Sequence, residues 1–126
     1  MKYKVLIVDD ETAAIDMVKY FSSRYFSNEL EVVGFARNID DAFKKIKETQ
    51  PDLVFLDMRM PRGFGNELLE RFPKRNFEVI IVTAGLSKID LKNHKILSKI
   101  GKPLDEEEFV TNVKLFLNKM AEKHQP

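Results

Sequence analysis

Few residues in this chain have types and spacing suited to chemistry. Two carboxylates, Asp9 and Asp10, stand together with Glu11 next to them, and a third, Asp57, lies far along the chain. A hydroxyl, Thr83, and an ammonium, Lys102, complete the set. Each follows a short apolar run: Val5 to Val8 before Asp9, Leu53 to Leu56 before Asp57, Val79 to Val82 before Thr83, and Ile96 to Ile100 shortly before Lys102. If those runs are parallel strands of one sheet, the polar residues converge on one of its edges. Carboxylates that close repel and raise one another's pKa. A divalent cation removes the conflict, and oxygen donors without Cys or His favour Mg²⁺ or Mn²⁺. Mg²⁺ commonly shares its shell with a phosphate. Lys102 and Thr83 suit an anion beside the metal, one by charge and the other by a hydrogen bond. A carboxylate can then act as nucleophile toward a phosphoryl group and form an aspartyl phosphate, with the metal and Lys102 stabilising charge on the transferring group.

The elements that must position these residues follow from periodicity. Helix-like stretches alternate with the apolar runs. Thr12 to Phe26 carries Ala14, Ile15, Val18, Phe21 and Tyr25 at helical spacing; Leu30 to Ala36 reads as a second strand; Asp40 to Glu48, with Ala42, Phe43 and Ile46, reads as a short helix ended near Pro51. Asn66 to Phe72 is a third helix, Ser87 to His94 a polar fourth, and the last is expected to open at Asp105 with Glu108 completing a capping box. Its apolar face is Phe109, Val113, Phe116, Leu117 and Met120. Strands alternating with helices imply an α/β fold with a parallel sheet covered on both faces. Runs one, three and four are continuously apolar, as central strands are. Run two contains Glu31 and Gly34, and run five contains Ser98 and Lys99, so these two suit edges. The doubly wound five-stranded order 2-1-3-4-5 satisfies both conditions and puts a ligand site beyond the carboxyl ends of strands 1 and 3.

Composition narrows the function classes. The 126 residues are expected to form one domain, residues 1–126. Lys and Arg number 21 against 20 Asp and Glu, a formal net charge of +1, which argues against nucleic-acid binding driven by bulk charge. With no Cys there is neither a disulfide framework nor a thiolate metal site. The two histidines, His94 and His124, are not in metal-ligand spacing. No leader-like segment or membrane-spanning run is visible, so a cytoplasmic protein without membrane insertion is expected.

The chain resembles the receiver domain of two-component response regulators over nearly its whole length. The matching motifs are Val5-Leu6-Ile7-Val8-Asp9-Asp10-Glu11, Val54-Phe55-Leu56-Asp57-Met58-Arg59-Met60-Pro61, Ile81-Val82-Thr83-Ala84 and Lys102-Pro103, with Gly65 four residues after Pro61. Each motif alone is weak; all four in order, each at a strand end, are specific. The resemblance implies a flavodoxin-like (βα)5 receiver fold with Asp57 as phosphoacceptor. It implies Mg²⁺ held by Asp57, by Asp10 directly, by Asp9 through water and by the backbone carbonyl of Arg59. It implies that Thr83 and Lys102 contact the phosphoryl oxygens, helped by N–H groups of Met58, Arg59 and Ala84. The implied phosphodonor is a histidine kinase or phosphotransfer protein, and the implied output is a changed affinity for a protein partner. No separate substrate is expected, only self-catalysed phosphorylation and dephosphorylation.

Two departures from the family bear on the output. Receivers usually carry Tyr or Phe three residues before the Lys, and here that position is Lys99; an ammonium does not enter an apolar pocket without a large desolvation cost. Thr83 to Lys102 spans 19 positions, shorter than expected, through a stretch with Lys88, Lys92, Lys95 and Lys99 that reads first as a solvated face and otherwise as a surface for an acidic partner. These features give a competing reading, an adaptor that binds partners without phosphorylation. A third reading, an aspartate-nucleophile phosphatase, needs an acid/base Asp two residues after the nucleophile, where Arg59 stands. A flavin-binding reading lacks a Ser/Thr-rich phosphate loop after strand 1. Arg59 is expected at the site mouth, paired with Glu11 or with the phosphoryl group.

Overall fold

The computed structural model of the chain describes residues 1–61, 63–85 and 95–124. In chain order its elements are β1 (Tyr3–Val8), α1 (Thr12–Phe26), β2 (Leu30–Ala36), α2 (Ile39–Thr49), β3 (Leu53–Leu56), β4 (Arg59–Met60), β5 (Gly63–Phe64), α3 (Gly65–Glu70), β6 (Glu78–Thr83), β7 (Ser98–Gly101) and α4 (Glu106–Lys123). Five strands form one sheet in the order β2-β1-β3-β6-β7, all of its pairings parallel. Counted without the small β4–β5 hairpin, this is the expected order 2-1-3-4-5. The helix expected over Ser87 to His94 lies outside the described residues.

The alternation of side chains along a strand divides the core in two. Val5, Ile7, Phe55, Ile80, Val82 and Ile100 face α1 and α4, where they meet Ile15, Val18, Phe21, Phe109, Val113 and Phe116. Leu6, Val8, Val54, Leu56, Val79 and Ile81 face α2 and α3, where they meet Ala42, Ile46, Leu68 and Leu69. Continuous apolar runs are therefore what the central strands need, because neither face meets water. Phe109 anchors the first half: its ring stacks on Phe55 at 5.4 Å and lies 5.3 Å from Phe21. Burying one such side chain contributes about 1.5–3 kcal/mol.

Several elements depart from expectation. On α1, Phe26 is buried and Tyr25 is 37% exposed. Phe26 has no polar group and tucks toward Phe109, whereas Tyr25, which carries a hydroxyl, stays partly exposed. Helix α3 ends at Glu70, short of Phe72, and closes in i→i+3 bonds from Arg71 and Phe72 ahead of Pro73. Strand β7 starts at Ser98, although the Leu97 N–H already bonds Val79 of β6. At α4, Asp105 accepts from the Glu108 N–H at 3.0 Å, but the Glu108 carboxylate takes the Gly101 N–H instead of closing a capping box. Gly101 ends an edge strand, whose outward N–H groups have no ladder partner.

Candidate functional site

Strand register builds the site. Val8 pairs with Leu56, so the next residues, Asp9 and Asp57, emerge side by side; the Asp57 N–H bonds the Val8 carbonyl at 2.8 Å. Thr83 pairs with Gly101, which places Lys102 just beyond it. Asp9, Asp57 and Thr83 are buried, at 3%, 3% and 1% exposure. The Lys102 ammonium bonds Asp9 at 2.9 and 3.1 Å, Asp57 Oδ2 at 3.1 Å and Glu11 Oε1 at 2.6 Å. One carboxylate oxygen from each of Asp9, Asp10, Glu11 and Asp57 lies within 4.8 Å of the others.

Asp9 bears the strain of this convergence. Its pKa is pushed up to about 6, first by burial and further by the charge of Asp57, while the Glu11 N–H and Lys102 pull it back. Lys102 responds in the opposite sense. Burial alone would lower its pKa, but its bonds to Glu11 and Asp9 and the charges of Asp9 and Asp57 outweigh burial and hold it above the ordinary lysine range. Four clustered carboxylates against one ammonium leave negative charge uncompensated. The hard-oxygen donor set fits a small divalent cation.

Local backbone completes the geometry. The Asp9 carboxylate accepts the Glu11 N–H at 2.9 Å, and Asp57 Oδ1 accepts the Arg59 N–H at 3.1 Å. Gly65 follows from close approach: a Cβ there would stand 2.7 Å from the Asp57 carbonyl and 2.9 Å from the Met58 sulfur. Gly85, at φ +68°, turns the chain after Thr83 and Ala84 in the left-handed region that favours glycine.

All the expected carboxylates and Lys102 are thus brought together. Thr83 sits at the end of β6 with its hydroxyl donating to the Ala84 carbonyl at 3.3 Å. Arg59 is not paired with Glu11; Glu11 is taken by Lys102, and the Arg59 guanidinium extends toward Gly85. Lys99 is exposed on β7, as a cation must be, so this position holds no buried aromatic. Sequence reasoning leaves out Glu11 as a partner of Lys102, although its adjacency to Asp10 is a signal. It also leaves out Arg37, which reaches the Asp10 carbonyl from the end of β2 and carries no local signal.

Comparison with known proteins agrees with this fold. Residues 5–114 match the model of the response regulator receiver domain. The chain is 34% identical over 116 residues to the sensory transduction protein LytT of Bacillus cereus, covering 90% of this chain and 46% of that protein. It is 39% identical over 101 residues to a protein-glutamate methylesterase/protein-glutamine glutaminase of Halalkalibacterium halodurans, covering 79% of this chain and 28% of that protein. The chain therefore spans less than half the length of either relative. Among solved structures, the response regulatory domain of protein mrkE from Klebsiella pneumoniae superposes with a TM-score of 0.83 at 20% identity, covering 94% of this chain and 98% of that one; at that identity the likeness concerns the fold.

Proposed function

The chain belongs to the response regulator receiver domain family, and on that premise we propose that residues 1–126 form one phospho-accepting switch of a two-component or phosphorelay system. Asp57 is the acceptor. One of its carboxylate oxygens attacks the phosphorus of a phosphohistidine on a histidine kinase or phosphotransfer protein. The new O–P bond forms as the P–N bond breaks, and the electron pair returns to the imidazole nitrogen. Asp9, Asp10, Asp57 and the Arg59 carbonyl would hold Mg²⁺, which when bound neutralises the carboxylates and the charge on the transferring oxygens. Lys102 is already 3.1 Å from the acceptor carboxylate, and that contact is the observation that carries the reading. Lys102 and the Thr83 hydroxyl would bind phosphoryl oxygens, drawing the ends of β6 and β7 toward Asp57. The N–H groups of Met58, Arg59 and Ala84 add donors.

The output is binding of a protein partner that distinguishes the two states. The reading carries a cytoplasmic location with it, and no direct role for nucleic acid. No helix among the described residues is long and apolar enough to cross a membrane. Self-catalysed gain and loss of the phosphoryl group is the only chemistry required. The exposed Lys99 favours a second reading, an adaptor whose binding ignores phosphorylation, in which Asp57→Asn leaves partner binding unchanged.

The test is incubation with Mg²⁺ and acetyl phosphate, read by intact mass. A gain of one phosphoryl group, abolished by Asp57→Asn and by a chelator, is expected. No gain in the wild type overturns the phospho-accepting reading.

A further inference from the structure

Arg37 stands at the end of β2, away from the acid cluster in sequence, yet it grips the turn that carries Asp10. Its Nη1 donates to the Asp10 carbonyl at 2.9 Å and its Nη2 to the Thr12 hydroxyl at 3.0 Å. The guanidinium is braced 5.6 Å from the Phe35 ring centroid. On electrostatic grounds this is the wrong end of a helix for a cation, because the N-terminus of α1 is already the positive pole. Helix α1 also lacks a side-chain cap and has no acid in its first turn. Two directed hydrogen bonds, with the acidic cluster beyond them, account for the placement.

The β1–α1 turn is held from two sides. From inside, the Asp9 carboxylate accepts the Glu11 N–H. From outside, Arg37 fixes the peptide carbonyl of Asp10 and the first residue of α1. Asp10 is neither in the strand nor in the helix, and it is less buried than Asp9. Lys102 contacts Asp9, Glu11 and Asp57 but not Asp10. The Asp10–Glu11 peptide is one planar unit, held at its N–H by Asp9 and at its carbonyl by Arg37. We infer that Arg37 is a positioning residue for the cation site: it fixes the Asp10 peptide and so aims the Asp10 carboxylate at the position shared with Asp9 and Asp57. This role rests on the divalent-cation reading above.

The sign of one effect separates positioning from charge. Arg37 is a cation beside a cation site, so if it acted only through its charge, removing it would tighten metal binding. If it positions Asp10, removing it weakens binding. The experiment measures Mg²⁺ affinity by calorimetry and Mn²⁺ affinity by electron paramagnetic resonance, on wild type, Arg37→Ala, Arg37→Gln and Thr12→Val. Circular dichroism confirms that each variant is folded. The expected result is a loss of about threefold to tenfold for Arg37→Ala, a scale set by losing oriented hydrogen bonds to a charged donor. Arg37→Gln, neutral but able to donate to the Asp10 carbonyl, recovers part of it, and Thr12→Val loses less than Arg37→Ala. Affinity equal to or tighter than wild type in both Arg37 variants overturns the positioning role and leaves the phospho-accepting reading standing. A wild type that binds neither ion overturns both.

Discussion

Asp9 concentrates the electrostatic conflict of the site in one residue. Its proton is held more tightly in the folded chain than in the unfolded one, since its pKa rises from 3.8 to about 6. The stability that this proton contributes is complete below the ordinary carboxylate range and is lost as the pH rises through about 6. A cation held directly by Asp10 and Asp57 and through water by Asp9 would compete with that proton for the same negative charge. Apparent Mg²⁺ affinity is therefore expected to fall about tenfold for each pH unit below that value, one proton being displaced per ion; calorimetric titration between pH 5 and pH 7.5 measures it, and a flat profile would remove Asp9 from the ligand set. Arg59 stands at the mouth instead. It is exposed and pairs with no carboxylate among the described residues, so on the proposed reading it is free to reach a phosphoryl group on Asp57. Exposed pairs are worth less than about 1 kcal/mol, so Arg59→Asn should change the lifetime of the phosphorylated form by a few-fold and leave stability alone. Equal decay of the two phosphoproteins, followed by mass, would dispose of that role.

At the scale of elements, the junctions after the strands do more for the site than the strands themselves. The β3–α3 connection folds back so tightly that the Gly65 N–H bonds the Met58 carbonyl at 2.9 Å, leaving no room for a Cβ against the Asp57 backbone. Gly65→Ala should cost about 1–3 kcal/mol by overpacking, seen as a lower urea midpoint, and should slow phosphorylation by displacing Asp57; normal rates in a destabilised variant would separate packing from positioning. Such junctions set the limit of what a sequence discloses. Val5 to Val8 and Leu53 to Leu56 are readable as central strands because burial on both faces forbids polar residues, and the acids after them then fall at one edge. The contacts of Arg37 with Asp10 and of Glu108 with Gly101 are unreadable, because they depend on which elements become neighbours and in what register. The β4–β5 hairpin is likewise two residues per strand, too short for any periodicity. Tyr25 and Phe26 are adjacent aromatics at a helix end, and their choice of face depends on the packing of α4.

Over the whole molecule, the sheet spends its stability at one end. Two apolar layers cover β1, β3 and β6 along their length, and that burial offsets a carboxyl edge where acids are forced together. Lys102 relieves part of the repulsion by bonding three carboxylates at once. It does so from just beyond the edge strand β7, so the site is closed from the periphery of the sheet. On the proposed reading, the acid cluster is an arrangement that the metal-free fold tolerates rather than needs. Replacing Asp9 by Asn keeps the side-chain shape and a carbonyl oxygen for the Glu11 N–H while removing a buried charge that is disfavoured at neutral pH. Lys102 retains Asp57 and Glu11. Asp9→Asn should therefore raise the metal-free melting temperature at pH 7.5 by about 3–6 °C, the shift that about 1 kcal/mol produces in a domain of this size. The same variant should lose the stabilisation that Mg²⁺ gives the wild type, because a ligand that binds only the folded state raises its stability by mass action. Melting curves of both proteins with and without Mg²⁺ measure the two effects together. A variant that melts lower than wild type without metal would mean that the Lys102–Asp9 pair holds the edge strand in place, and that the cluster is structural before it is functional.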